Sequence, residues 1–114
     1  MSTPEAIVFL KGNDNYIQPD ELKNELTGVY LTDSDTVVVT VVNAAGTAIT
    51  GVGVTWPMTM SYVNGYDGRF YTELPKEMVV SIGDFLRAKI TATTAGGKVG
   101  YWEYDMVVEQ RETI

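Results

Sequence analysis

Three groups of side chains in this 114-residue chain could carry chemistry. Glu103 and Asp105 stand two residues apart in an alternating stretch, so their carboxylates would project from one strand face about 6–7 Å apart. Two acids at that distance are what glycoside hydrolysis needs, given a deep pocket and one acid of raised pKa. The competing reading is a solvated strand face, with the acids pairing with Arg87 or Lys89 on a neighbouring strand. Asp33 and Asp35, with Asp14 and Asp67 elsewhere, could offer hard oxygens to calcium. Their spacing fits no EF-hand loop, and short acids in turns commonly bond their own backbone. The third group is aromatic. Tyr66, Tyr71 and Tyr101 are candidate partner-binding residues, a stacking platform for a sugar or a protein.

The rest of the composition narrows the chemistry. The chain has neither Cys nor His. That removes thiol and Ser–His catalysis, disulfides and ordinary zinc sites. We expect no catalytic residue, no cofactor and no metal ligand, hence a protein that is not an enzyme. The net charge of −7 argues against nucleic acid and against anionic membrane surfaces as partners. Residues 1–35 hold seven of the acids against two bases, so the acidity is mostly N-terminal. No run approaches the roughly 18 apolar residues of a membrane span. Residues 1–5 lack the basic start and apolar segment of a secretory signal. The expected route is therefore synthesis in the cytoplasm with no export by that signal.

The elements that would position these groups read as strands. Hydrophobic content of 45% and charged content of 20% suit a globular chain. Length suggests one domain over 1–114. Within it, 1–28 would form an N-terminal strand and an acidic loop or docking arm, and 29–110 a β-sandwich. Residues 6–11 favour a strand, followed by a turn at 12–15. Pro19 to Leu26 is the one helix-like piece, with Leu22 and Leu26 at i, i+4 and acids at its start; a loop fits it equally. Val29 and Leu31 then alternate. Residues 36–43 make the strongest strand, with Val37, Val39 and Val41 on one face. Ile49, Val52 and Val54 suggest another, in which Gly51 and Gly53 signal a bulge or a close backbone approach. Met58, Met60 and Tyr62 share a face. Residues 64–68 are the clearest hairpin turn. Phe70, Thr72 and Leu74 face in. Leu86, Ala88, Ile90 and Ala92 form the inner face of 85–94. Trp102, Tyr104, Met106 and Val108 form that of the last strand, with Trp102 as the central packing residue and Trp56 as an edge or loop contact. Seven or eight strands at 8–12-residue spacing predict an all-β, immunoglobulin-like antiparallel sandwich with at most one short helical turn.

Three segments carry a resemblance. Asp35-Thr36-Val37-Val38-Val39-Thr40-Val41-Val42-Asn43-Ala44-Ala45-Gly46-Thr47-Ala48-Ile49-Thr50-Gly51-Val52 resembles the first hairpin of bacterial and phage immunoglobulin-like domains. Asp67-Gly68-Arg69-Phe70-Tyr71-Thr72-Glu73-Leu74-Pro75 resembles a hairpin arm of the same domains. Gly83-Asp84-Phe85 and Ala88 to Thr93 are similar to their following strand. With Phe9 to Asn15 included, the chain resembles small phage- and prophage-encoded virion accessory proteins. The resemblance covers about residues 27–108 for the sandwich, and its motifs recur in adhesins and transthyretin-like modules. It implies a virion location and a role in capsid decoration, neck or tail adaptation, or fibre attachment. The implied partners are other virion proteins or a second copy of the chain. The alternative is a stand-alone module for carbohydrate or a cell-surface protein, with Tyr66, Tyr71 and Tyr101 stacking on the ligand. A third reading is a hydrolase built on Glu103 and Asp105.

Overall fold

The computed structural model describes residues 7–11, 15–94 and 96–110. Its strands are β1 (Ile7–Lys11), β2 (Asn15–Ile17), β3 (Thr36–Asn43), β4 (Met58–Thr59), β5 (Ser61–Tyr62), β6 (Phe70–Leu74), β7 (Phe85–Thr94) and β8 (Gly97–Gln110). They form two sheets, β1-β8-β7-β3-β4 and β2-β6-β5. The fold is an all-β sandwich of immunoglobulin-like type. Every ladder is antiparallel except β1–β8, which runs parallel from Ile7↔Met106 to Lys11↔Gln110.

Period-two alternation builds the core. Along β3, Val37, Val39 and Val41 are fully buried, and β7 buries Leu86, Ala88, Ile90 and Ala92 opposite them. β-branched side chains have one favoured rotamer and fit a pleated surface, so a Val-rich strand packs here at low entropic cost. β8 contributes Met106 and Val108, β1 contributes Phe9, and the small sheet answers with Ile17, Phe70 and Leu74. No polar or charged residue among those described is buried.

Two of the connections that cross between the sheets are closely bonded. Between β1 and β2, Asn15 reaches back to Leu10: Leu10 N–H donates to its Oδ1 at 3.0 Å, and its Nδ2 donates to Leu10 C=O at 3.1 Å. Between β4 and β5 the chain passes from one sheet to the other through buried Met60, whose N–H donates to Val37 C=O at 2.8 Å.

Several expectations are corrected. Residues 19–26 take the loop alternative and form no helix. Leu22 is buried while Leu26 is 79% exposed, so the two do not share a face. Tertiary hydrogen bonds win here: Leu22 N–H donates to Gly68 C=O, Leu31 N–H donates to Leu22 C=O, and Lys23 bridges Tyr30. Val29 is exposed and Leu31 buried; the Tyr30 between them makes the isolated bridge to Lys23, and no strand forms there. Residues 49–54 form no strand: the isolated bridge Gly51↔Met78 falls within them and Val42↔Ala48 just before them, with Ile49 buried and Val52 89% exposed. Gly51 is a close backbone approach, as expected: a Cβ there would strike the Glu77 carbonyl. Trp102 packs on the rim of the core, half-buried, while Phe9, Phe70, Ile90 and Met106 occupy its centre. The turn expected at 12–15 falls outside the described residues, apart from Asn15.

Candidate functional site

The three tyrosines do not form one platform. Tyr71 points outward from β6 in the small sheet, opposite Ser61. Tyr101 points outward from β8 in the large sheet, opposite Thr91. Faces of two different sheets in a sandwich look in opposite directions. Tyr66 lies in the β5–β6 connection, 57% exposed, with the Arg69 guanidinium 4.6 Å above its ring. Nearby, Lys23 Nζ sits 4.9 Å above the Tyr30 ring. A Cβ at Gly68 would strike the Tyr30 ring, and Arg69 also meets Asp20 at 3.6 Å. That end of the molecule therefore gathers two rings and two cations.

The candidate carboxylates do fall on one face, as their spacing predicts. β7 and β8 pair so that Arg87 stands opposite Asp105 and Lys89 opposite Glu103. Arg87 Nε lies 3.7 Å from Glu103 and 3.8 Å from Asp105, all three side chains being substantially exposed. Tyr101 O–H donates to Glu103 at 2.6 Å. That bond, followed by partial desolvation and the Glu103 charge, raises the Tyr101 pKa, with Arg87 pulling the other way. The acids thus serve as partners of a cation on the neighbouring strand and, for Glu103, of a phenol on its own strand.

The calcium candidates are engaged locally. Asp35 accepts from Thr32 N–H at 2.9 Å, and Asp67 accepts from Tyr62 O–H at 2.6 Å. No three His, Cys, Asp or Glu side chains gather into a metal-holding group among the described residues. Asp14 lies outside them.

The outer face of the large sheet has a second feature, which residue-type reasoning missed. In register across three strands run Val8, Val107 and Phe85. Val8 is 45% and Phe85 71% exposed, with Val107 half-buried. Next to Phe85 lies a recess of about 360 Å³ lined by Asn43, Ala44, Phe85, Leu86, Arg87 and Asp105. The signal was present in the sequence as phase. Phe85 precedes Leu86 and Val107 sits between Met106 and Val108, so each must point away from the core. The face therefore carries an apolar row, then two rows of opposed charge, then Tyr101 beside Thr91.

The class of protein defined by this architecture is the immunoglobulin-like β-sandwich. No protein-family model matches the chain, and no curated protein sequence does. Among solved structures it is similar to CopC from Methylosinus trichosporium OB3b, with a TM-score of 0.57 at 7% identity over 96% of this chain and 88% of that one. A likeness at that identity shows the fold, and no residue role passes across it.

Proposed function

We propose that this protein is non-catalytic and works through protein–protein contacts, as a phage or prophage virion accessory component. Capsid decoration, a neck or tail adaptor and fibre attachment are the roles that the resemblance of its hairpins implies. The observation that carries the contact reading is the exposed row Val8, Val107 and Phe85 on the outer face of the large sheet. Contiguous apolar surface rimmed by charge marks sites where proteins meet. Tyr101 on the same face adds an aromatic anchor of the kind enriched at such contacts. The test is proteomic. Particles induced from a strain carrying the gene are purified on a density gradient and digested, and peptides of this chain are quantified against the major shell protein. Stoichiometric peptides are the expected result; their absence from intact particles would overturn the virion role.

A second reading has its own observation. Tyr66 and Tyr30, with Arg69 and Lys23 over their rings, form a surface suited to stacking on a sugar ring. A glycan array signal that disappears in Tyr66→Ala would favour this carbohydrate-binding module.

A further inference from the structure

We propose that the outer face of the β1-β8-β7-β3-β4 sheet binds a second copy of this chain, through a two-fold axis parallel to the strands and midway between β7 and β8. This deepens the protein-contact reading above and rests on it. The argument is the register. Rotation about such an axis lays β8 of one copy over β7 of the other at the same height along the strands. Each row of the face then meets the same row of the partner in reverse order. Asp105 stands opposite Arg87 within one copy, and Glu103 opposite Lys89. After the rotation each carboxylate of one copy covers a cation of the other.

The apolar row behaves in the same way. Val107 would cover Phe85 of the second copy, and Val8 would lie over the recess that Ala44 and Phe85 line. Tyr101 would meet Thr91. The pattern is antisymmetric in charge and symmetric in hydrophobicity about one line, which is what an isologous contact requires. Net charge gives an independent argument. The chain carries −7, so two copies repel over most of their surfaces. The block Arg87, Lys89, Glu103 and Asp105 sums to zero, so apposing it adds no repulsion. Sheets packed face to face also hold their strands within about 30° of one another, so an axis along the strands is compatible with sheet twist.

The experiment is sedimentation equilibrium across a wide concentration range on the full chain and on three variants. The wild type is expected to dimerise. Phe85→Ser removes an exposed apolar anchor and should raise the dissociation constant ~10-fold or more. Arg87→Asp and Asp105→Arg should each weaken self-association by a similar factor. Mixed one to one, these two charge variants should form a heterodimer, because in one half of the contact the introduced carboxylate at 87 faces the introduced guanidinium at 105, and in the other half the native Asp105 of the first variant faces the native Arg87 of the second. Cooperative thermal unfolding of each variant shows that it is folded. A wild type that is monomeric throughout, variants that dimerise like the wild type, or a mixture that stays monomeric would each overturn the proposal. If a monomeric wild type is nevertheless found in purified particles, the dimer fails and the contact reading stands. If a dimer forms and no particle contains it, the reverse holds.

Discussion

The carboxamide of Asn15 makes with Leu10 both of the hydrogen bonds that an added strand would make. In a parallel ladder, alternate residues turn their N–H and C=O away from the paired strand. Leu10 is such a residue, and β1 is the edge of its sheet. An open edge is a template for unwanted pairing. One side chain from the other sheet closes it at this point.

Asn15→Ala should therefore act twice. Losing two hydrogen bonds at about 0.5–1.5 kcal/mol each lowers stability by roughly 1–3 kcal/mol, read as a lower urea midpoint. The uncovered edge should also raise the rate of aggregation on heating, followed by light scattering. Asn15→Asp keeps the acceptor and sets a carboxylate oxygen against the Leu10 carbonyl, so it should be no milder. A midpoint equal to the wild type for both variants would refute the clasp.

Gly68 fills a second tight position. Its φ is +83°, and an added Cβ would lie 2.8 Å from Tyr30 Cδ1 and 3.1 Å from both N and O of Leu22. Gly46 has a similar φ of +87° and nothing within 4 Å. Gly46→Ala should cost about 1–2 kcal/mol, the left-handed backbone penalty. Gly68→Ala adds a collision with the segment that covers the hairpin and should cost more. Equal losses in parallel urea titrations would show that the Leu22 contact yields freely.

Trp56 Nε1 donates to the Ile49 carbonyl at 2.7 Å, and the ring packs on the core. This bond anchors the segment alongside the backbone bonds from Ile49 N–H to Val41 C=O and from Val79 N–H to Thr50 C=O. Trp56→Phe keeps much of the ring and strips the donor. The expected loss is about 1–3 kcal/mol, the cost of leaving a partly buried acceptor unpaired. Amide exchange should quicken selectively around residues 48–54; unchanged exchange there would contradict the anchoring role.

Three phenols are held above their ordinary value of 10.0. Hydrogen bonding to Asp67 is the main cause for Tyr62 and to Glu103 for Tyr101, while burial leads for Tyr104, with the Asp20 charge second. Near and above pH 10 the folded chain keeps protons that the unfolded chain releases, so stability falls as pH rises there. The contribution is complete below the unfolded value and is lost as pH climbs through the folded ones. Urea midpoints should decline above about pH 10, and the decline should be shallower in a Tyr62→Phe/Tyr101→Phe double variant. An identical slope in the double variant would remove these phenols from the account.

Much of the sandwich was legible because alternation is local. Val37, Val39 and Val41, then Leu86, Ala88, Ile90 and Ala92, then Met106 and Val108 point inward by backbone geometry alone. Failures came where distant partners decide. Leu22 could read as helical until Gly68 and Leu31 take up its backbone groups. Val52 has a strand-former's side chain, yet only isolated bridges form around it, at Ala48 and Gly51. The parallel docking of β1 on β8 joins residues some hundred positions apart, and nothing local announces it. The candidate residues divided in the same way. Glu103 and Asp105 were correctly placed on one face by their spacing. Tyr71 and Tyr101 could not be assigned to opposite sheets without strand order.

The crossing at Met60 bears on how the molecule comes apart. Within five residues, Met58 and Thr59 are laced to β3 and Ser61 and Tyr62 to β6. Neither layer can peel away without dragging this stitch from the other. Mechanical or thermal loosening of one layer should thus be felt at once by its opposite, and the domain should open as a single event, with no state in which one sheet survives alone.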